Sequence, residues 1–393
     1  LSAMKFTGNI RSVKEGEIIF ANEPLLRIEA PLIQAQIMET AILNIVNYQI
    51  LIATKAARIK HLCPDEVCME FGTRRAHEFD AAIWGTRASI IGGFDATSNV
   101  KAAKLFNIPC SGTHAHSFVQ AYEDEEVAFK KYAAAHKDCY FLVDTYDTLR
   151  SGIPTAIKVA DELKDKINFH GIRLDSGDIA YLSKEARKML DEAGYPNAKI
   201  VASNDLDEDT ITHLKQEGAC IDAWGVGTKL ITAFDNPALG AVYKLACLEN
   251  DNGEMIDRLK VSENPAKLTV PGVKRVYRII NTDTGMAAGD YIALEKEDVN
   301  AEQSIKLFHP THTYLAKEVK NFKAIDIHED IFVNGKQVYE VPTVQESAKY
   351  FQQNKELLWS EYLRLLNPEF YPVDLSAKCW QNRKEILERV TKK

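Results

Sequence analysis

The sequence predicts an α/β protein in which a parallel sheet closes into a β/α barrel, with a β-rich α+β region beside it. Between residues 67 and 250, short apolar runs alternate with amphipathic stretches. Nearly every run ends in small, polar or charged residues. Such alternation is typical of parallel sheets whose strands are connected by helices, and the polar strand ends favour a barrel with one functional rim.

The apolar runs and the stretches between them define the predicted elements. Strands are expected in the short apolar runs at 67–72, 88–94, 107–113, 139–145, 168–177, 199–205, 223–228 and 241–250. Helices are expected where apolar residues recur at helical spacing, at 97–106, 124–136, 155–165, 180–194 and 207–218. The runs are too short for helices of ordinary length, which is why strands are preferred there.

Three segments differ in character and are the predicted domains. Residues 1–65 contain short strands followed by a long helix over 32–60, which has no Gly or Pro inside it. Residues 66–250 form the expected barrel, and residues 251–393 hold strand-like stretches, an Asn-Gly turn signal and a final charged helix that ends at Lys393. We expect the last segment to pack on the other two.

The composition and net charge limit the kinds of partner and the cellular compartment that we expect for this chain. The chain of 393 residues carries a formal charge of -8, which argues against nucleic acid or an anionic membrane as the main partner. Its 7 cysteines are scattered and are expected to be reduced thiols in a cytoplasmic protein. We predict no membrane span and no signal peptide, and we expect a further N-terminal segment before Leu1, because the chain starts in strand-like sequence without Met.

The motif GTHAHS (112–117) places two histidines at the end of a predicted strand. If the motif is extended, both side chains face the same side. Either histidine is a candidate metal ligand, general base or nucleophile. A His-x-His pair also fits a metal-dependent barrel hydrolase, although later strand ends offer only His170, which lies inside a strand run, and the helical His136 and His213.

Three more strand ends carry groups suited to phosphate or sugar. In EFGTRR (70–75) the two arginines are fork donors for an anion, unless they form surface ion pairs with Glu70 or Glu78. In RLDSGD (173–178) the aspartates are candidates for ribose hydroxyls or a metal, or for plain helix caps. In GVGTK (225–229) two glycines allow backbone N–H groups to face an anion, although a simple turn explains the motif equally well.

Taken together and in this order, the motifs resemble the nicotinate phosphoribosyltransferase family. The resemblance rests on EFGTRR, GGFDATSNV, GTHAHS, FLVDTYDT, GIRLDSGDI, ASNDLDE and WGVGTKL. It implies an irregular β/α barrel of the type II phosphoribosyltransferase kind. It also implies transfer of the phosphoribosyl group of phosphoribosyl pyrophosphate to nicotinate, coupled to ATP hydrolysis with Mg²⁺, in NAD salvage, by a homodimer with shared active sites.

The resemblance also implies residue roles. His116 looks like the residue that ATP transiently phosphorylates, and it is a predicted catalytic residue together with Asp175. Phe71 is expected to stack on the pyridine ring, while Arg74 and Ser117 are expected near the nicotinate carboxylate or the product phosphate. No protein-held metal ion is expected.

The phosphoribosyl donor has its own expected contacts. Arg173 and Asp175 are similar to residues that hold the donor in the family. The 5′-phosphate is expected to lie among Ser203, Asn204, Gly225, Gly227 and Thr228. A related enzyme acting on nicotinamide or quinolinate is the nearest alternative, since the same scaffold and donor would serve it.

Overall fold

The computed structural model describes residues 3–261 and 269–391. The chain divides into two compact units. Val46–Leu239 is called the sheet unit here, and Leu1–Ile45 together with Gly240–Lys393 is called the flanking unit. The three-segment division expected from the sequence remains a prediction.

The secondary structure is given by the bounds of its elements. The strands are β1 (Asn9–Val13), β2 (Leu26–Glu29), β3 (Val67–Glu70), β4 (Ala96–Thr97), β5 (Asp138–Leu142), β6 (Asn168–Leu174), β7 (Lys199–Ser203), β8 (Ala223–Val226), β9 (Cys247–Glu249), β10 (Met255–Asp257), β11 (Lys274–Asn281), β12 (Ala287–Leu294), β13 (Ser304–Phe308), β14 (Ala316–Lys320), β15 (Phe322–Asp326), β16 (His328–Val333), β17 (Lys336–Gln337) and β18 (Val373–Leu375). The helices are α1 (Leu32–Leu62), α2 (Phe79–Ile91), α3 (Val100–Phe106), α4 (His116–Gln120), α5 (Glu125–Ala135), α6 (Ile153–Glu162), α7 (Ile179–Glu192), α8 (Glu208–Gln216), α9 (Thr228–Ile231), α10 (Val344–Glu356) and α11 (Ala377–Thr391).

The sheet unit is built on one parallel sheet. Its strand order is β4-β3-β8-β7-β6-β5, and every neighbouring pair runs parallel. The order is that of a half-barrel, because the described strands β4 and β5 lie at opposite ends. The α/β class and the parallel sheet predicted from the sequence are confirmed, with six strands in this sheet rather than eight.

The predicted strand at 88–94 is wrong. Its first four residues are the last turn of α2, which ends at Ile91; Gly92 is the C-cap, and Gly93 follows with φ of +105°. Residues 85–91 are all buried, so apolar and small side chains occur on every side of the helix. A helix buried on all sides shows no periodicity, which is why a short apolar run was indistinguishable from a strand.

The predicted strands at 107–113 and 241–250 also differ from the structure. Within 107–113 the described backbone forms one isolated bridge, between Cys110 and Thr97 of β4. Pro109 interrupts this run because it has no N–H to donate to a ladder. The only strand within 241–250 is β9, which pairs antiparallel with β10 in the flanking unit rather than joining the parallel sheet.

Helices cover the sheet where the sequence predicted them. The five expected helices appear as α3, α5, α6, α7 and α8. Asp124, Asp178 and Asp207 each accept a hydrogen bond from a backbone N–H in the first turn of α5, α7 and α8. These caps offset unsatisfied N–H groups at the helix ends and fix where each loop above the sheet ends.

Helix α1 confirms the long helix predicted at 32–60. It is the one helix in the described ranges long and apolar enough to cross a membrane, judged by length and composition alone. This is weak evidence for a span, because core helices pass the same test. Its C-terminal half supplies Leu51, Ile52, Ala56 and Ile59 to the sheet unit, where all four are buried.

The flanking unit is rich in antiparallel strands. One sheet has the order β17-β16-β1-β2 and another the order β15-β11-β12-β18. The predicted Asn-Gly turn joins β16 to β17, with positive φ at Asn334 (49°) and Gly335 (76°). Both angles are those required of a tight hairpin of this type. The charged helix appears as α11, and its predicted end at Lys393 lies outside the described residues.

Candidate active site

The carboxyl ends of the parallel strands bring several of the expected site residues together. Arg173 lies near the end of β6 and is the centre of the group. Its Nε donates to Ser203 Oγ at 2.9 Å, its Nη1 to Thr113 Oγ1 at 2.9 Å and its Nη2 to Asp175 Oδ1 at 2.7 Å. Since Thr113, Asp175 and Ser203 belong to three different segments of the chain, one guanidinium joins all three.

Phe71 packs beside this arginine. Its backbone N–H donates to Val226 O at 2.8 Å, which continues the pairing of β3 with β8. The Arg173 guanidinium carbon lies 5.5 Å from the centre of the Phe71 ring. A Cβ atom at Gly225 would lie 2.6 Å from the same ring, so only glycine leaves room for the phenyl group in this position.

His116 begins α4 and faces two carboxylates. Its Nε2 lies 3.6 Å from Asp175 Oδ2 and 3.9 Å from Asp144 Oδ1. Its Nδ1 forms a hydrogen bond with Thr145 Oγ1 at 3.1 Å. The side chain is 37% exposed, so a substrate can reach the ring. The imidazole is therefore oriented through one nitrogen and open at the other.

His114 has a different environment, contrary to the expectation for an extended motif. It is buried against Phe129, Tyr132 and Phe141, and its Nε2 accepts a hydrogen bond from Leu142 N at 3.2 Å. Burial lowers the pKa of the His114 ring to about 4, so the ring is neutral at physiological pH. Because the segment before α4 is irregular rather than a strand, the two histidines do not share a face.

Asp175 is held in its ionised form. Burial raises its pKa, but Arg173, the Ser203 hydroxyl and His116 together outweigh burial and bring the pKa below its usual value. Oδ1 is engaged by Arg173 and by Ser203 Oγ. Oδ2 is the oxygen that faces His116. The predicted catalytic pair thus lies within one cluster.

Asp144 and Thr145 are site residues that the sequence left undecided. Asp144 follows β5 and its side chain is 2% exposed. Its Oδ2 accepts from Asp175 N at 3.0 Å and from Ser176 Oγ at 2.6 Å, while no donor in the described part of the chain reaches Oδ1. The motif DTYDT marked a polar strand end, but only the fold shows that its first two residues face His116.

The GVGTK segment is placed as expected but its lysine is engaged elsewhere. Gly225 lies in β8, and Gly227 precedes Thr228, the first residue of α9. Lys229 Nζ forms an ion pair with Asp207 Oδ2 at 2.5 Å, and Asp207 also caps α8. Because Gly225 and Val226 belong to β8, which pairs with β3 and β7, the backbone of Gly227 and Thr228 is the part of this motif that faces an anion.

Within the described residues, the side chains of Arg74, Ser117 and Asn204 form no hydrogen bond or ion pair with the cluster around Arg173. Arg74 lies in a 3-10 turn, Thr73–Arg75, and is exposed. Its guanidinium makes no hydrogen bond or ion pair within the described residues, so the surface pair with Glu70 or Glu78 is not formed. Ser117 and Asn204 are also exposed, and Asn204 has a φ of +88° directly after β7.

No cluster of three or more His, Cys, Asp or Glu side chains in the described ranges is arranged to hold a metal ion. The carboxylates of Asp144 and Asp175 nevertheless present oxygen atoms at the cluster, including the unpartnered Oδ1 of Asp144. One or two carboxylates combined with substrate phosphates are the usual ligands of Mg²⁺. This donor set fits a magnesium ion that arrives with a substrate.

Comparison with known proteins gives the family. A nicotinate phosphoribosyltransferase of Bacillus subtilis is 63% identical over 379 residues, which make up 96% of this chain and 77% of the relative. Models of the N-terminal domain, the main NAPRTase family and the C-terminal domain of this family match residues 1–47, 67–262 and 273–383. The chain belongs to the nicotinate phosphoribosyltransferase family.

A more distant relative and two solved structures agree with this assignment. The protein of Caenorhabditis elegans is 34% identical over 432 aligned residues, covering 95% of this chain and 76% of the relative. The crystal structure of human nicotinic acid phosphoribosyltransferase superposes with a TM-score of 0.83 at 27% identity, covering 97% of this chain and 83% of that one. A nicotinate-nucleotide pyrophosphorylase from Pyrococcus furiosus gives a TM-score of 0.68 at 26% identity, covering 90% and 81%. The type II phosphoribosyltransferase fold implied by the sequence motifs is thereby confirmed.

Proposed function

We propose that this chain transfers the phosphoribosyl group of phosphoribosyl pyrophosphate to nicotinate, giving nicotinate mononucleotide and pyrophosphate in NAD salvage, with the transfer coupled to ATP hydrolysis through His116. Family membership at 63% identity supports the transferase reaction. The observation that carries the residue roles is the convergence of Thr113, Asp175 and Ser203 on Arg173, beside Phe71 and within reach of His116.

In the transfer step, the bond between ribose C1 and the pyrophosphate oxygen breaks and the pyrophosphate leaves with the electron pair. The pyridine nitrogen forms the new bond to C1. Asp175, fixed by Arg173, holds ribose hydroxyls through the oxygen that is not bound to the guanidinium. Positive charge develops on the ribose ring in this step, and an ionised carboxylate nearby lowers the energy of that charge.

Nicotinate is held by its ring and by its carboxylate. Phe71 offers a ring face for stacking, and its position is fixed by Gly225 and by the hydrogen bond to Val226. The exposed guanidinium of Arg74 and the hydroxyl of Ser117 receive the carboxylate, since a guanidinium binds a carboxylate through two parallel hydrogen bonds. This arrangement favours a substrate with one carboxylate.

The 5′-phosphate lies against the backbone of Gly225, Gly227 and Thr228, with Ser203 and Asn204 at the next strand end. A Cβ at Gly227 would lie 3.3 Å from Phe71 O, so this backbone runs close to the nicotinate loop. Backbone N–H groups bind phosphate without a charged side chain. The pairing of Lys229 with Asp207 is consistent with that arrangement.

ATP coupling requires a nucleophile that accepts a phosphoryl group. His116 Nε2 attacks the γ-phosphorus of ATP, and ADP leaves with the electrons of the broken bond. For this attack Nδ1 must carry the ring proton, which Thr145 Oγ1 is placed to accept. Mg²⁺ held by substrate phosphates together with Asp144 and Asp175 would stabilise the charge of the departing phosphate groups. We propose that phosphorylation tightens binding of both substrates and that hydrolysis resets the site.

We also propose a cytoplasmic homodimer with shared active sites. In the N-terminal part of α1, Leu32, Ile33, Ile37 and Ile45 are 46–73% exposed. An apolar face of this kind on a helix is commonly covered by another subunit. A partner that contributes residues to each site would complete the clamp on the pyridine ring opposite Phe71.

The decisive experiment is product analysis. Purified protein is mixed with nicotinate, phosphoribosyl pyrophosphate and ATP–Mg²⁺, and nicotinate mononucleotide and ADP are measured by chromatography. Parallel reactions with nicotinamide and with quinolinate test the alternative substrates. Both should react poorly if Arg74 and Ser117 bind a single carboxylate group. Preference for either of these two would contradict the proposal.

A further inference from the structure

Glu70 is the last residue of β3 and is completely buried. Three donors converge on its carboxyl group. Thr97 Oγ1 donates to Oε2 at 2.7 Å and Thr86 Oγ1 donates to the same oxygen at 2.8 Å. The backbone N–H of Gly72 donates to Oε1. Burying a carboxyl group destabilises the folded protein unless hydrogen bonds compensate for the lost water. Here three hydrogen bonds compensate, and they fix the Glu70 side chain and its three partners relative to one another.

The three donors belong to segments that surround the nicotinate side of the site. Gly72 lies in the loop that carries Phe71 and Arg74. Thr97 ends β4, where its O accepts from Ser111 N at 2.9 Å in the segment that leads to His116. Thr86 lies in the middle of α2, the helix that follows the loop. One side chain therefore joins the nicotinate loop to both of its neighbours.

The loop itself has little freedom. A Cβ at Gly72 would lie 2.6 Å from Ile231 Cβ and 2.9 Å from Glu70 Oε1. On the preceding residue, the Phe71 N–H is bound to Val226 O at 2.8 Å. The peptide groups of residues 71 and 72 are thus fixed from two directions, by β8 and by the Glu70 side chain. The direction in which the chain leaves β3 depends on both bonds.

We infer that Glu70 is a positioning residue that sets the affinity for the pyridine carboxylate substrate by fixing the turn between Phe71 and Arg74. The inference rests on the proposed function, in which these two residues bind nicotinate. Glu70 touches neither substrate. It acts through the Gly72 N–H on one side and through Thr86 and Thr97 on the other, and it has no direct bond to the Arg173 cluster that holds the phosphoribosyl donor.

The positioning works through hydrogen bonds and does not require negative charge. Burial raises the pKa of the Glu70 carboxyl, against the opposing effect of its three hydrogen bonds, which favours the neutral acid. Glutamine has the same shape. Its oxygen can accept from Gly72 N–H, and its amide can donate to the two hydroxyls. Thr86 Oγ1 can then turn its proton to Ala82 O at 2.8 Å, and Thr97 Oγ1 can turn its proton to the main-chain O of residue 70 at 3.4 Å.

The experiment compares steady-state constants for the two substrates in Glu70→Gln, Glu70→Ala, Thr97→Val and Thr86→Val. We expect Glu70→Ala to raise the KM for nicotinate about tenfold or more, and each valine variant to raise it about three- to fivefold, as the loss of buried hydrogen bonds would do. Glu70→Gln should stay within about threefold of the wild type. The KM for phosphoribosyl pyrophosphate should change less than the KM for nicotinate in every variant.

The matched control is Ser89→Ala, which removes another buried hydroxyl from α2 that bonds to Gly85 O rather than to Glu70. Its melting temperature should fall like that of Thr86→Val, without the change in nicotinate KM. If Glu70→Ala does not fold, the two valine variants carry the test. Equal changes in both KM values, or a glutamine variant as impaired as alanine, would overturn the inference. An inactive wild-type protein would instead refute the proposed function.

Discussion

His116 Nε2 lies 3.6 Å from Asp175 Oδ2. The contact joins the beginning of α4 to the loop after β6, two segments separated by more than fifty residues in sequence. It places the proposed phosphate acceptor beside the proposed ribose-binding carboxylate. A phosphoryl group on His116 would thus lie next to the bound donor, which gives a physical route from ATP use to substrate affinity.

Replacing Asp175 by Asn should reduce kcat/KM for phosphoribosyl pyrophosphate by about 100-fold or more, because the hydrogen bond to Arg173 is kept while the charge facing the ribose is lost. The neighbouring cation and hydroxyl lower the pKa of Asp175, so this carboxylate stays ionised as the pH falls to 5. The ratio of kcat/KM between the wild type and the Asp175→Asn variant should therefore be the same from about pH 5 to pH 9, as measured by initial rates. A loss confined to high pH would contradict this assignment.

Replacing His116 by Ala should abolish nicotinate-stimulated ATP hydrolysis while slow uncoupled transfer remains. The matched control is His114→Phe, since His114 packs in the aromatic cluster and its Nε2 is bound to Leu142 N rather than facing the carboxylates. That variant leaves Leu142 N–H without its partner and should lose about 1–3 kcal/mol of stability, yet still label with γ-³²P-ATP. Phosphate retained by the His116→Ala variant would refute the role of this histidine.

Replacing Gly225 by Ala should raise the KM for nicotinate. The added Cβ would lie 2.6 Å from the Phe71 ring, so the ring must move from the position in which it stacks. A displacement of this kind costs about 1–3 kcal/mol, which corresponds to an increase in KM of about 5- to 150-fold. Gly240→Ala is the control, because no atom lies within 4 Å of its added Cβ. Equal KM values for the two variants would argue against a role of Phe71 in nicotinate binding.

Replacing Glu23 by Gln should make the flanking unit more stable at high pH. Burial and the neighbouring Asp290 carboxylate raise the pKa of Glu23 to about 10, against 4.5 in an unfolded chain. Above pH 4.5 the unfolded chain releases this proton while the folded protein retains it, so the wild type loses stability as the pH rises. Glutamine cannot titrate and avoids this loss.

The measurement is urea unfolding at pH 5, 7 and 9. The advantage of the Glu23→Gln variant should grow with pH by up to about 1.4 kcal/mol per unit. The exposed Glu302→Gln is the control and should show no such trend. An advantage that stays constant from pH 5 to pH 9 would show that Glu23 is already ionised in the folded protein.

Much of the site was predictable because its residues follow strands in a recognisable order. The motifs that contain Phe71, Arg173, Asp175, Ser203 and Gly225 lie at polar strand ends, and the family resemblance implied the roles of these residues. The structure brings them into one cluster. Strand ends meet at one edge of a parallel sheet whatever the loops contain. For that reason the positions were predictable even where the individual motif was ambiguous.

The sequence could not separate residues whose roles depend on packing. His114 and His116 are two positions apart, yet one accepts a backbone hydrogen bond inside an aromatic cluster and the other faces carboxylates. From the sequence, Glu70 was a candidate for a surface ion pair, but in the structure it is buried and bonded to Thr86 of α2 and Thr97 of β4. Lys229 ends the motif in which an anion site was predicted, but Asp207 from the loop after β7 pairs with it.

By itself the sequence determined the α/β class, the long first helix, the covering helices and the family, because periodicity and motif order are local properties of the chain. Tertiary structure alone decided that residues 88–91 are helix, that six strands form the sheet, and which polar side chains face one another. Those outcomes depend on burial and on distances between segments far apart in sequence, and no local pattern encodes either one.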